Sequence, residues 1–235
     1  MKKTAKLLTL AVALVAGLGT TAQAEGFKVG SDIVSSYVWR GGELGNSPAI
    51  QPALSYTCPK TGITAGAWGS YAVSESASSK RYKETDLYVT LPAGPFSLTV
   101  TDYYTGTEDQ RTFDFSNKGT NVIELSVAYA KDNLTLLAAI NVAGSEGDAA
   151  ANTTGVKNAK YCEVGYKFYD KDGYTAKAVL GAGDEDCYGD QYGVSKNNAI
   201  ALVNTGISVS KDRYTASYVY NPDTEKSTLL FMASF

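Results

Sequence analysis

The chain has 235 residues, 21 of them basic and 24 acidic, none of them histidine, with 44% hydrophobic residues. The lack of histidine excludes His-dependent triads, Asp-His proteolysis and His-ligated zinc. The length allows one domain of modest size, and no stretch after residue 24 approaches the roughly 20 apolar residues that a membrane-spanning helix needs.

In chain order the first element is an export signal. Lys2, Lys3 and Lys6 precede an apolar run over 7–18 and the small-residue site Ala22-Gln23-Ala24, which predicts a cleaved signal peptide over 1–24 and a mature domain over 25–235. Removing those three lysines leaves 18 basic residues against 24 acidic ones, a net charge of −6. That charge argues against a nucleic-acid partner, whose phosphates would repel it.

The mature segment then reads as strands at period two. Spans are predicted over 27–39, 49–57, 63–73, 82–91, 96–104 and 122–130, and then over 134–142, 160–169, 174–182, 199–210, 213–220 and 228–235. The first puts Phe27, Val29, Ile33, Tyr37 and Trp39 on one face and Lys28, Asp32, Ser36 and Arg40 on the other. Ile123, Leu125, Val127 and Tyr129 oppose Glu124, Ser126 and Ala128 in the same way, and the charges keep to one side. The third span alternates poorly at Gly66-Ala67-Trp68-Gly69.

The links between spans alternate in length. Tight turns are predicted over 59–62, 92–94, 131–133, 170–173 and 211–212, and long polar loops over 41–47, 74–81, 106–119, 143–158, 183–198 and 221–226. Short connections on one side and long ones on the other mark a bacterial outer-membrane barrel. The expected fold is therefore all-β, a closed antiparallel transmembrane β-barrel of about twelve strands with periplasmic N- and C-termini. Its average hydropathy is bland because lipid-facing apolar residues alternate with lumen-facing polar ones.

Aromatics fall at the strand ends, where amphipathic rings prefer the membrane boundary. Phe27, Tyr56, Phe96, Tyr129, Phe168, Tyr174, Tyr214 and Phe235 form the expected periplasmic girdle, with Trp39 among those at the other rim. The final strand ends on Phe235 with its apolar parity intact, resembling the C-terminal signal that outer-membrane proteins present to the barrel-assembly machinery.

The first strands carry Ser31-Asp32, then Ser36-Tyr37-Val38-Trp39-Arg40-Gly41, Pro48-Ala49 with Gln51, and Gly66-Ala67-Trp68-Gly69-Ser70. This run resembles the TorF-family porins, a group of conserved bacterial outer-membrane barrels. The resemblance implies a porin-like barrel and carries no catalytic residues.

No nucleophile or acid-base constellation stands out, so an enzyme is not expected, and no cofactor or metal site is assigned. Glu84 with Asp86 is the clearest carboxylate pair, and a charged wall in a wet lumen is its more frequent role. The expected lumen charges are Asp32, Arg40, Glu84, Asp86, Glu124, Glu163, Lys167 and Lys177. Such opposed charges either line a narrow path that biases the passage of small solutes or ions, or pair across the interior and plug it. The first is the leading expectation. The second leaves a structural or surface-interaction barrel that acts through its long loops. Arg40 is the first residue to test: its guanidinium is suited to a carboxylate or phosphate solute, and equally to a salt bridge with a loop or lumen acid. The acidic loop over 184–190 offers oxygen ligands without EF-hand spacing, and Cys162 and Cys187 lie near enough in the topology to pair.

Overall fold

Period-two alternation lets a strand bury one face and expose the other, and twelve such strands here close on themselves. The computed structural model describes residues 26–45, 47–75, 81–106, 111–116, 119–148, 153–189 and 199–235. The predicted signal peptide lies outside the described residues. In chain order the elements are β1 (Phe27–Val34), β2 (Val38–Trp39), β3 (Gly42–Glu43), β4 (Ala49–Thr57), β5 (Thr64–Ala72), β6 (Lys83–Ala93), β7 (Phe96–Tyr104), β8 (Asn121–Lys131) and β9 (Leu134–Ala143). They continue as β10 (Gly147–Asp148), β11 (Thr153–Thr154), β12 (Lys160–Lys171), β13 (Tyr174–Asp184), the one-turn helix α1 (Glu185–Tyr188), β14 (Ile200–Lys211), β15 (Tyr214–Asn221) and β16 (Lys226–Ser234).

The barrel runs β1-β16-β15-β14-β13-β12-β9-β8-β7-β6-β5-β4 and back to β1, every pair antiparallel. Closure is made by Asp32, Ile33 and Val34 against Ser234, Ala233 and Met232, so neither terminal strand leaves a free edge. Two ribbons, β2-β3 and β10-β11, stand outside the main sheet.

The tight turns follow from residues that tolerate positive φ. Asp132 (φ 55°), Asp172 (φ 55°) and Asp212 (φ 53°) each sit in a two-residue hairpin link, where the primed turns that match strand twist require that conformation. Phe27, where β1 begins, and Phe235, just beyond β16, both lie at this turn end of the barrel.

Burial is inverted relative to a water-soluble domain. Val29, Leu54, Leu87, Val89, Val100, Leu136, Ile207 and Phe231 are exposed on the outer face, whereas Asp32, Gln51, Glu84, Asp86, Thr90 and Glu124 are buried inside. A continuous apolar exterior of this kind is costly in water and favourable against hydrocarbon.

One sequence expectation changes. The first predicted span, 27–39, ends as a barrel strand at Val34; the amide of Phe231 donates to Ser35 Oγ at 2.9 Å, and the following residues leave the wall to form the β2-β3 hairpin. The third span, which alternates poorly in sequence, is a barrel strand with Trp68 placed inward opposite Asp86, and its burial stays irregular through Trp68, Gly69 and Ser70. Gly66 makes room there for the inward ring of Tyr88, since a Cβ at 66 would lie 2.5 Å from the Tyr88 hydroxyl oxygen.

Candidate functional site: a packed loop end and the cavity below it

The interior has two parts, a packed half at the loop end and a cavity below it. The packed half is built on the β2-β3 hairpin, whose tip is Arg40 (φ 50°) and Gly41 (φ 85°). Both tip residues take positive φ, as a two-residue primed turn requires, and a β-hairpin turn with arginine in that conformation is uncommon. The hairpin lies directly on the barrel wall: a Cβ at Gly41 would sit 1.9 Å from the Val203 carbonyl oxygen.

Arg40 is 7% exposed and held from several sides. Nη2 donates to Glu124 Oε1 at 2.9 Å, and Nη1 lies 2.7 Å from Glu124 Oε2. Nη1 also donates to the Tyr188 hydroxyl at 2.8 Å. The guanidinium stands 4.4 Å from the Trp39 ring centre and 4.5 Å from that of Tyr161, within cation-π range. Tyr103 donates to Glu124 Oε1 at 3.2 Å, which leaves that carboxylate shared between a cation and a phenol. The helix α1 brings Tyr188 inward, and Asn221 fixes it by donating to the Tyr188 carbonyl at 3.0 Å.

Beside this pair, Tyr37 donates to Glu84 at 3.1 Å, and Tyr82 donates to the other oxygen of the same carboxylate. Asp86 is fully buried, and neither of its oxygens accepts a hydrogen bond. Three carboxylates, Glu84, Asp86 and Glu124, therefore share this half of the lumen with the one guanidinium of Arg40.

Below the plug lies a cavity of about 410 Å³ that runs from Tyr37 and Arg40 to Asp132 and Asn133 in the β8-β9 turn. Of the expected lumen charges, Asp32, Arg40, Glu163, Lys167 and Lys177 border it, and Glu84, Asp86 and Glu124 do not. Glu163 accepts from Tyr161 at 2.8 Å and from Asn204 at 3.1 Å. Lys167 pairs with Asp170 at 2.5 Å.

Trp39 is corrected from its expected place. It packs inside the barrel, 5.7 Å from Tyr103 and 5.6 Å from Tyr188 between ring centres, because the hairpin turns it away from the outer surface. Phe27, Tyr56, Phe96, Phe168, Tyr174, Tyr214 and Phe235 are exposed on the exterior. Tyr129 is partly covered by Phe96, with ring centres 5.1 Å apart. Arg40 turns the N–H edge of its guanidinium to Glu124, the salt-bridge alternative. All three cysteines are free: Cys162 is exposed, and Cys187 packs with Tyr188 inside. In the acidic loop, Asp184 accepts from the Lys160 amide at 2.5 Å, and Asp190 lies outside the described residues. No group of three or more Cys, Asp or Glu among the described residues is placed to hold a metal.

Sequence reasoning missed Tyr103, Tyr161, Tyr188 and Asn204. The inward tyrosines have a signal only in hindsight, in that Tyr103 shares the parity of Ser97, Thr99 and Thr101, and Tyr161 that of Glu163 and Lys167.

A family description, "Bacterial protein of unknown function (Gcw_chp)", matches residues 20–232. The chain belongs to the Gcw_chp family. The motif from Ser31 to Ser70 falls within the matched segment. No match was found among curated proteins. Among solved structures, this Gcw_chp chain is similar to Pseudomonas aeruginosa OprD, at 14% identity and a TM-score of 0.34, covering 91% of this chain and 66% of that one. It is also similar to Salmonella typhi OmpF, solved in complex with daunomycin, at 10% identity and a TM-score of 0.33, covering 89% of this chain and 97% of that one. The chain thus spans about two thirds of the length of OprD.

Proposed function

We propose that this Gcw_chp chain is an outer-membrane barrel forming a narrow, charge-lined channel for the passive passage of small solutes or ions. The observation that carries the reading is the 410 Å³ cavity inside a closed barrel, bordered by Asp32, Arg40, Glu163, Lys167 and Lys177 and reaching to the β8-β9 turn. The apolar exterior supports a lipid surround, and the exposed aromatics at the turn end support a membrane boundary there. The export signal and the likeness to TorF-family porins support the outer membrane as its place. Phe235, closing the last strand, is the feature the barrel-assembly machinery would read. Tight turns and termini then face the periplasm.

A second reading is favoured by the Arg40-Glu124 pair: a charge-plugged barrel that acts through its long loops. The two are separated by single-channel recording on the refolded full chain in planar bilayers, with wild type and Arg40→Ala compared. Discrete conductance steps in the wild type, enlarged in the variant, support the channel. Silence in both supports the plugged barrel.

A further inference from the structure

Two lysines face each other across the β12-β13 ladder. Lys167 and Lys177 are register partners, and both border the cavity. Like charges directly opposite on one face of a sheet repel and cost stability, and a confined lumen screens them less than open solvent does. Among the described residues only one of the two is neutralised: Lys167 pairs with Asp170 at 2.5 Å, while Lys177 makes no ion pair there.

Gly165 decides where the unpaired amine goes. A Cβ at 165 would lie 2.5 Å from Lys177 Cε, 3.0 Å from its Nζ and 2.5 Å from Thr135 Oγ1. The missing side chain leaves a shallow seat for the end of Lys177 against the wall, next to Thr135, whose hydroxyl donates to the Gly165 carbonyl at 3.3 Å. Ser208 is the β14 register partner of Lys177 and borders the same cavity. Of the acids that border the cavity, Glu163 accepts from Tyr161 and Asn204, Asp32 is hydrogen-bonded with Ser234, and Asp132 stands in the β8-β9 turn.

A cation seated against the wall, a second cation opposite and the Ser208 hydroxyl beside them are the parts of an anion site. We propose that Lys177, with Lys167 and Ser208, binds a small oxyanion of the phosphate or carboxylate class inside the barrel. This deepens the channel reading, on which it rests, by naming the solute class that the cavity holds. Each ammonium supplies a charge-assisted hydrogen bond, and the Ser208 hydroxyl adds a further donor.

The test is equilibrium titration of the detergent-folded full chain with inorganic phosphate and, separately, with acetate, read by calorimetry, so that conduction is not required. Saturable binding is expected in the wild type, weakened at least tenfold in Lys177→Gln and regained in Lys177→Arg. Gly165→Ala, which fills the seat, is expected to weaken it while the barrel still shifts on unheated gels. No saturable binding of either anion, or equal binding in Lys177→Gln, overturns the site. Anion binding in a protein that stays silent in bilayers keeps the site and sinks the channel. Conduction in a protein that fails to bind either anion does the reverse.

Discussion

Arg40 and Glu124 meet inside the barrel at 2.7 Å, with both side chains almost wholly out of contact with solvent. One comes from a hairpin tip and the other from the wall, so this contact ties an inserted loop to the cylinder around it. Desolvating two charges costs several kcal/mol per ion, and their attraction compensates only when geometry and further hydrogen bonds are good. Here the two paired oxygens, the Tyr188 hydroxyl, the Tyr103 hydroxyl and two ring faces supply that compensation.

Removing one partner therefore leaves a buried charge uncompensated. Glu124→Gln is expected to destabilise the folded protein by roughly 3–5 kcal/mol, read as a lower midpoint of urea unfolding in detergent. The double change Arg40→Met with Glu124→Leu removes both charges and is expected to cost clearly less than the single one. A single variant with an unshifted midpoint would contradict the role of the pair.

Gly41 offers a way to lift the hairpin without touching a charge. Its positive φ and the 1.9 Å approach of a Cβ to the Val203 carbonyl make alanine doubly unfavourable there. Gly41→Ala is expected to keep the barrel, seen as retained heat-modifiable migration on gels, while the segment over 35–48 becomes open to added protease. Equal resistance in wild type and variant would show that the hairpin does not depend on this close approach.

The alternation of apolar and polar residues made the barrel legible, because lipid and lumen impose opposite demands on successive side chains. Strand limits such as 49–57 and 96–104 were readable for that reason. The same logic failed at Tyr37 and Trp39. They continue the parity of Ile33, but they serve an interior that is itself aromatic, and periodicity cannot tell burial against hydrocarbon from burial against a plug. Arg40 was legible as important and its partner was not, since Glu124 is 84 residues away and only closure of the barrel brings it near. The Lys167-Lys177 pair was visible as two inward charges; their direct opposition depends on the bulge between Lys167 and Tyr169, which shifts by one residue the register that the two-residue turn sets.

The membrane reading has its own test on the outer face. Val89 is exposed near the middle of β6, with Ala65 and Val100 as register partners. Val89→Arg is expected to cost about 2–4 kcal/mol in a lipid bilayer, the depth-dependent cost of a cation near the midplane. Unfolding in liposomes gives the number, and a change within about 0.5 kcal/mol, ordinary for a solvated surface, would mean that no hydrocarbon lies against this face.

The cysteines report on the plug chemically. Burial pushes the Cys187 thiol up to about 11, with Arg40 pulling the other way, whereas hydrogen bonds from Thr61 and the Lys60 backbone lower that of Cys58 in the β4-β5 turn. The thiolate is the reactive form. At pH 8 a group titrating near 11 is about one part in a thousand thiolate, so raising pH should speed Cys58 first and Cys187 only far above neutrality. In a Cys162→Ser background, a water-soluble maleimide at pH 8 is expected to label Cys58 readily and Cys187 hardly at all. Adding Gly41→Ala should expose Cys187, which packs in the cluster that holds Trp39 and Tyr188. Fast labelling of Cys187 in the intact barrel would mean that the loop end is open without any change to the hairpin.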